Sequence, residues 1–189
     1  MAWLIMPAFR MQCQPVPDTF RIVIRTSAGD IRAELYPSRA PVTCANFVKY
    51  VEAVGSKGGE FYRTVTLQNQ PDKNVLIEVI QGGFNLSNYD TALIQPIPLE
   101  RTSVTGLRHL NGTLSMARGG PDSGTTEFFI CINDQPSLDF GGKRNSDGQG
   151  FAAFGRVIAG MEIVKKIQRS PADGQSLTPP VKILEIAPE

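Results

Sequence analysis

The sequence predicts a mainly β fold, an eight-stranded antiparallel closed β-barrel with two capping α-helices. Three observations carry that expectation. Eighteen glycines and fourteen prolines in 189 residues call for many turns, which a chain of short strands needs and a helical bundle does not. About eight short runs rich in β-branched and aromatic residues are separated by turn signals. Only two segments carry a helical period, one near each end of the domain, and the strand–helix alternation of a parallel sheet is missing. Helices laid over the two mouths of a barrel bury their apolar stripes there.

Each element can be read in order. FRIVIRT (20–26) and IRAELY (31–36) alternate as strands and form a hairpin with Gly29 in its tight turn. PVTCANFVKYVEAV, opened by Pro41, reads as the first helix with Val42, Ala45, Phe47 or Val48, and Val51 on its apolar stripe. Gly55, Gly58 and Gly59 end it. EFYRTV (60–65) and LIEVIQGGF (76–84) are the next strands, joined by the polar loop TLQNQPDKN. An irregular stretch with Pro96 and Pro98 runs from 85 to 111, followed by strands at GTLSMAR (112–118) and TEFFICI (126–132). A glycine-rich loop over 133–150 leads to the strand FAAFGRV (151–157). The second helix is GMEIVKKIQRS (160–170), with Met161, Val164 and Ile167 on one face, and PVKILEIA closes the sheet.

Composition narrows the function. The formal net charge of +1 lacks the basic surplus that a nucleic-acid or membrane-surface partner demands, so neither is expected. No run approaches the roughly 18 apolar residues of a membrane span. The cysteines, Cys13, Cys44 and Cys131, contain no CxxC pair, and the single histidine cannot complete a Cys/His zinc site, so no metal is expected. Cys44 and Cys131 lie among apolar neighbours and are expected as buried free thiols. GGPDSGTT lacks the GK[ST] ending of a phosphate cradle and opens no helix. No Gly-x-Ser-x-Gly elbow occurs, and His109 lies far from any credible nucleophile, which sets hydrolase chemistry aside. Residues 1–18 are expected as an N-terminal arm ahead of one domain at 19–189. The arm is apolar but lacks a basic start and is broken by Pro7 and Arg10, so a secretory-signal remnant is the poorer match. Cytoplasmic and periplasmic addresses both stay open.

FYRTV, VIQGGF, GTLSMARGGP, TEFFICIND with SLDF, and FAAFGRVIAGMEIVKKI, taken in that order over residues 20–187, resemble the cyclophilin family. SMAR, and the aromatic Phe151 before AAFG, are more similar to bacterial members. The resemblance implies a peptidyl-prolyl cis-trans isomerase that needs no cofactor and acts on proline-containing peptides and protein clients, with a monomer expected. A proline-binding module with weak or no turnover is the alternative. The implied chemistry is simple. Amide resonance raises a rotational barrier of about 18–20 kcal/mol, and lowering it takes an apolar slot for the ring and a donor that favours the twisted amide.

Arg63 in FYR matches the catalytic arginine of that family, and Gln81 in IQGG the groove glutamine that helps hold the peptide backbone. On its own Arg63 would read as a surface strand arginine; the flanking motifs make the difference. Phe129 matches the floor of the proline pocket and Leu138 its far wall, while Met116 and Ala117 lie on a strand edge that would pair with substrate. Phe128 and Phe129 must face opposite sides of their strand. Val79 and Phe151 also match groove positions, as does Glu127, where a glutamine is usual and where a carboxylate is able to pair with Arg63. Other departures are Glu78 in place of a phenylalanine, with Leu67 or Leu76 as substitutes, and Ser137 in place of a tryptophan, which implies weak binding of the cyclic peptide inhibitor of the family. His109 matches no groove position and is read as a loop or turn residue.

Overall fold

Strand pairing in the computed structural model, which describes residues 18–70, 74–87 and 89–189, closes on itself. The first strand, β1 (Phe20–Thr26), bonds to β2 (Gly29–Leu35) on one side and to the last strand, β9 (Ser176–Pro188), on the other. Between them lie β3 (Gly59–Val65), β4 (Val79–Phe84), β5 (Thr113–Met116), β6 (Phe128–Cys131) and β7 (Ala152–Ala159). The ring runs β1-β2-β7-β5-β6-β4-β3-β9 and back to β1, all antiparallel. These eight strands form the expected barrel. A ninth, the two-residue β8 (Ala172–Asp173), pairs only with β9 as a small hairpin outside the ring. Closure leaves no barrel strand with an open edge.

The barrel interior follows the two-residue period. Ile22 and Ile24 of β1, Ile31, Ala33 and Leu35 of β2, and Phe128 and Ile130 of β6 all enter one buried cluster. Alternate residues face outward. On β6 those are Phe129 and Cys131, which join Val65, Ile77, Val79 and Leu138 in a second, smaller cluster on the outer wall. The expected division between Phe128 and Phe129 is therefore what the barrel shows.

Helix α1 (Pro41–Val54) covers one mouth and α3 (Met161–Gln168) the other; a one-turn α2 (Thr102–Thr105) lies in the stretch read as irregular. The α1 stripe is rotated from the expected one. Cys44, Phe47, Val51 and Val54 are buried, together with Tyr50, while Val42 and Ala45 face solvent. Phe47 decides that rotation, because its ring packs 5.1–5.3 Å from the rings of Phe84, Phe128 and Phe154. Ala40 offers no side chain to cap the helix. The Glu100 carboxylate does so from afar, accepting from the Val42 and Thr43 N–H groups at 3.1 and 2.7 Å. That contact pins the long 85–111 connection to the barrel. In α3, Val164 and Ile167 are buried and Met161 packs beside them, as the spacing predicts.

One irregularity shapes the outer wall. In β3 the register slips by one residue between Phe61, opposite Gly82, and Arg63, opposite Gln81. This bulge resets the alternation. Phe61 points into the barrel, Tyr62 and Arg63 both lie outside, and Thr64 turns in again to reach the Gln168 carbonyl of α3 at 2.8 Å. Gly82 permits it, since a Cβ there would stand 2.4 Å from the Glu60 carbonyl oxygen.

Of the expected N-terminal arm, residues 1–17, with Trp3 and Cys13, lie outside the described residues. Cys44 and Cys131 are buried and unpaired. Among the described residues no helix is long and apolar enough to cross a membrane. Phe128 has no exposed surface and meets Phe47 and Phe61 edge-on, so Phe128→Ala is expected to lose about 3–5 kcal/mol of stability in urea unfolding.

Candidate active site

The register of the barrel sets a row of outward side chains across four strands. Arg63 of β3 lies opposite Gln81 of β4, Gln81 opposite Phe129 of β6, and Phe129 opposite Ser115 of β5. Directly opposed residues share a face. A cation, an amide, an aromatic ring and a hydroxyl thus stand in line on the outer wall.

Arg63 is held by side-chain carbonyl oxygens. Its Nη1 donates to Gln81 Oε1 at 2.8 Å, and its Nε and Nη2 both donate to Gln175 Oε1 at 3.0 and 2.6 Å. Gln175 sits in the β8–β9 turn, fixed by its own amide on the Asn69 carbonyl at 3.0 Å. Of the five guanidinium N–H groups, two keep no protein partner among these bonds. Gln81 gives its amide to Tyr62 Oη at 2.7 Å and Glu127 Oε2 at 2.9 Å, and Tyr62 donates to the same carboxylate at 2.6 Å. Burial, and then the Glu127 carboxylate, push the Tyr62 phenol well above its ordinary pKa. The pairing of Glu127 with Arg63 allowed by the sequence is not formed; Gln81 stands between them.

Beside Arg63 opens a hollow of about 240 Å³, smaller than the roughly 300–1,000 Å³ of a pocket for a drug-sized ligand. Its floor is Phe129, its walls Leu138, Val79, Ile77 and Ala117, and its rim Phe151. Phe129 meets Phe151 edge-on at 5.3 Å. Arg118 lies over the other ring, 5.0 Å from its centroid, and clamps the 139–150 loop through two bonds to Asp147 at 2.8 and 2.9 Å. The Arg118 hydrogen bonds, and then one from the Gln149 N–H, hold the Asp147 carboxyl down at about 2.

Most expected groove residues converge here, with three corrections. Met116 is buried in the barrel core, and its backbone pairs with Phe128 on one side and Ala152 on the other. The Ala117 N–H is taken by the Glu127 carbonyl at 2.9 Å. Met116 offers no free strand edge, because the closed wall pairs it on both sides, and the Ala117 N–H is likewise taken; Ala117 also lines the hollow. Leu67 and Leu76 are exposed and fill nothing. Ile77, two residues from Val79, takes the apolar place, while Glu78 turns the other way to accept from Asn133 at 2.7 Å. That alternation was the signal by which Ile77 could have been found. Gln175 and Arg144, which also lines the hollow, had no such signal, since loops carry no period.

His109 lies in a loop, as expected, but it is not a plain surface residue. Its ring is buried, stacks on Phe129 at 6.0 Å, and lies between Asp139 (Nδ1 to Oδ1, 2.7 Å) and Ser115 (Nε2 to Oγ, 2.9 Å). A Ser–His–Asp array therefore does exist. It has the spacing of a nucleophilic triad, yet Ser115 has no exposed surface, so its hydroxyl meets no substrate. The array props the back of Phe129.

Known proteins resemble this chain over most of its length. The family model described as cyclophilin type peptidyl-prolyl cis-trans isomerase/CLD matches residues 21–187. A peptidyl-prolyl cis-trans isomerase of Acinetobacter baylyi is 34% identical over 171 residues, covering 87% of this chain and 83% of that protein. Peptidyl-prolyl cis-trans isomerase A of Dickeya dadantii is 36% identical over 149 residues, 78% of this chain and 70% of that one. Among solved structures, a cyclophilin type isomerase of Cryptosporidium parvum superposes with a TM-score of 0.69 at 23% identity, covering 90% of this chain and 98% of that one.

The buried array has a measurable consequence. Burial alone would raise the Asp139 pKa, but hydrogen bonds from the His109 ring and N–H outweigh it and hold the carboxyl below its usual value. Asp139→Ala is expected to cost about 1–3 kcal/mol in urea unfolding at neutral pH, by leaving buried His109 donors unpaired. A carboxyl with a depressed folded-state pKa stabilises above its unfolded value and loses that contribution as pH falls. The penalty should therefore shrink below roughly pH 4. A serine-directed fluorophosphonate should leave Ser115 unlabelled in the native protein.

Proposed function

Because the chain belongs to the cyclophilin-type peptidyl-prolyl cis-trans isomerases, we propose that it rotates X-Pro bonds in the outer-wall groove, with Arg63 as the catalytic cation. The observation that carries this reading is Arg63 standing at the edge of an apolar hollow with donors to spare.

The chemistry needs neither nucleophile nor base. In the planar X-Pro amide the nitrogen lone pair is delocalised, and that resonance is the barrier of about 18–20 kcal/mol. Halfway through rotation the lone pair is localised and accepts a hydrogen bond. A guanidinium, permanently charged and multiply donating, stabilises that state more than either planar one. Removing about 3–4 kcal/mol of barrier is worth several-hundred-fold in rate. Phe129 and Leu138, with Val79, Ala117 and Phe151 around them, hold the pyrrolidine ring so that rotation is confined to the other side of the bond. Gln81 acts chiefly through Arg63, presenting its carbonyl to the guanidinium because Glu127 and Tyr62 occupy its amide. Gln175 is a positioning residue of the same kind.

Proline-containing peptides and protein clients are the substrates of this reading. The Cryptosporidium parvum protein, similar in fold, was also crystallised in the presence of the dipeptide Ala-Pro, with a TM-score of 0.68 at 22% identity to this chain. Every group invoked comes from one chain, and we take the protein to act as a monomer. A binder with little turnover would draw on Glu78, Glu127 and Ser137, but Glu78 faces Asn133, Glu127 faces Gln81 and Ser137 does not line the hollow.

An isomerase assay by NMR exchange or coupled proteolysis tests the assignment. Arg63→Ala should lower kcat/KM by at least about tenfold with the far-ultraviolet spectrum and unfolding midpoint retained; full activity in that variant would sink the assignment. Gln175→Ala should lower kcat about threefold to tenfold with little change in KM. Gln175→Glu, which keeps an acceptor but sets a carboxylate directly on Arg63, should recover little of the loss, because the pairing takes up the charge.

A further inference from the structure

Three guanidinium groups border the hollow, and their partners differ. Arg118 is neutralised by the two-bond contact with Asp147, and its Nε is spent on the Gly150 carbonyl at 2.8 Å. Arg63 rests on the neutral oxygens of Gln81 and Gln175. Arg144 gives one Nη1 bond, 2.6 Å, to the Val75 carbonyl. Among the described residues neither Arg63 nor Arg144 forms an ion pair, and no carboxylate lines the hollow. Among the described residues, then, two cations without a carboxylate partner line one small hollow. Burial, and then the charge of Arg63, pull the Arg144 pKa below its ordinary value, the expected result of placing like charges together.

A neutral proline ring calls for only one of these cations. Rotating the amide uses Arg63, and the apolar floor takes the ring, so Arg144 is left with no part in turnover of an uncharged X-Pro segment. It is nonetheless held in place, by its backbone N–H on the Ser137 carbonyl at 3.2 Å and by its side chain on Val75. A cation fixed in advance loses little freedom on binding, which favours an anionic ligand. Neighbouring Cα atoms are about 3.8 Å apart, so a residue flanking a seated proline stays beside the hollow that Arg144 lines.

Building on the isomerase reading, we propose that Arg144 forms an anion subsite, and that the preferred substrates carry a negatively charged side chain on a residue adjoining the proline. The shared chemistry is a planar or tetrahedral oxyanion accepting from the free guanidinium edge. Glutamate or aspartate is one source and phosphoserine another.

The test is a matched peptide series with glutamine, glutamate or phosphoserine placed immediately before or after the proline, read as kcat/KM. Wild type should favour at least one acidic peptide over its glutamine twin by about fivefold or more, the gain lying in KM and fading as salt rises towards about 1 M. Which acid gains more identifies the source. In Arg144→Gln, which keeps a donor for Val75 but no charge, the acidic-to-neutral ratio should fall to about one, and Arg144→Lys should restore part of it. Equal rates for all peptides in wild type, or a ratio unchanged in Arg144→Gln, would overturn the subsite while turnover of the glutamine peptide left the isomerase reading intact. Absence of turnover with every peptide would remove the isomerase reading alone. The subsite would then stand or fall on calorimetric affinities for the same pairs, with the same ratio expected.

Discussion

A wall without a free edge leaves each side chain two destinations, and the rest of this structure depends on that restriction. β1 is bonded to β2 on one side and β9 on the other, so the barrel strands give their amides to neighbours and their side chains to the inside or the outside. The inside is filled by the aliphatic residues of β1 and β2 and by the rings around Phe47. The outside of a barrel is ordinarily wet. Here the short turn at Pro136–Leu138 and the glycine-rich loop behind it cover part of it, and a second apolar cluster forms around Phe129. Stability is concentrated in the first cluster and the proposed activity in the second. Adjacent residues of β6 serve one each.

The electrostatics of the groove depend on what is kept one step away. A carboxylate bonded directly to Arg63 would engage its remaining donors and cancel much of its field. Glu127 is instead set behind Gln81, where it fixes the direction of the amide, and the amide in turn presents a neutral oxygen to the guanidinium. The result is a cation that is oriented and still carries its full charge. Asp147 plays the opposite part, spending the charge of Arg118 to anchor a loop.

Most of the architecture was legible in the sequence because strands announce themselves by period and turns by glycine and proline. The Phe128/Phe129 division, the face of α3 and the hairpin at Gly29 all rest on that local arithmetic. Features that depend on contacts between distant segments were not legible. Nothing near Pro41 shows that Glu100 caps α1, or that Phe47 meets three other rings and so sets the rotation of the helix. His109 looked like a turn residue since its partners, Asp139 and Ser115, come from separate parts of the chain. In the candidate site, Arg63, Gln81, Phe129 and Leu138 were singled out by motifs, and Ile77 was within reach of the alternation that placed Val79. Gln175 and Arg144 reach the groove from loops, where spacing carries no directional information.

The bulge in β3 has a consequence of its own. An uninterrupted strand sends residues two apart to the same side, yet Phe61 belongs in the barrel and Arg63 on its surface. Only the surplus residue at Tyr62 reconciles them. Shortening the chain there by one residue would force a choice between dragging a guanidinium into the hydrocarbon interior and turning a phenyl ring out into water. Exchanging the Tyr62 ring for another would demand neither. At this point the backbone count is a more stringent requirement than the identity of the side chain it carries.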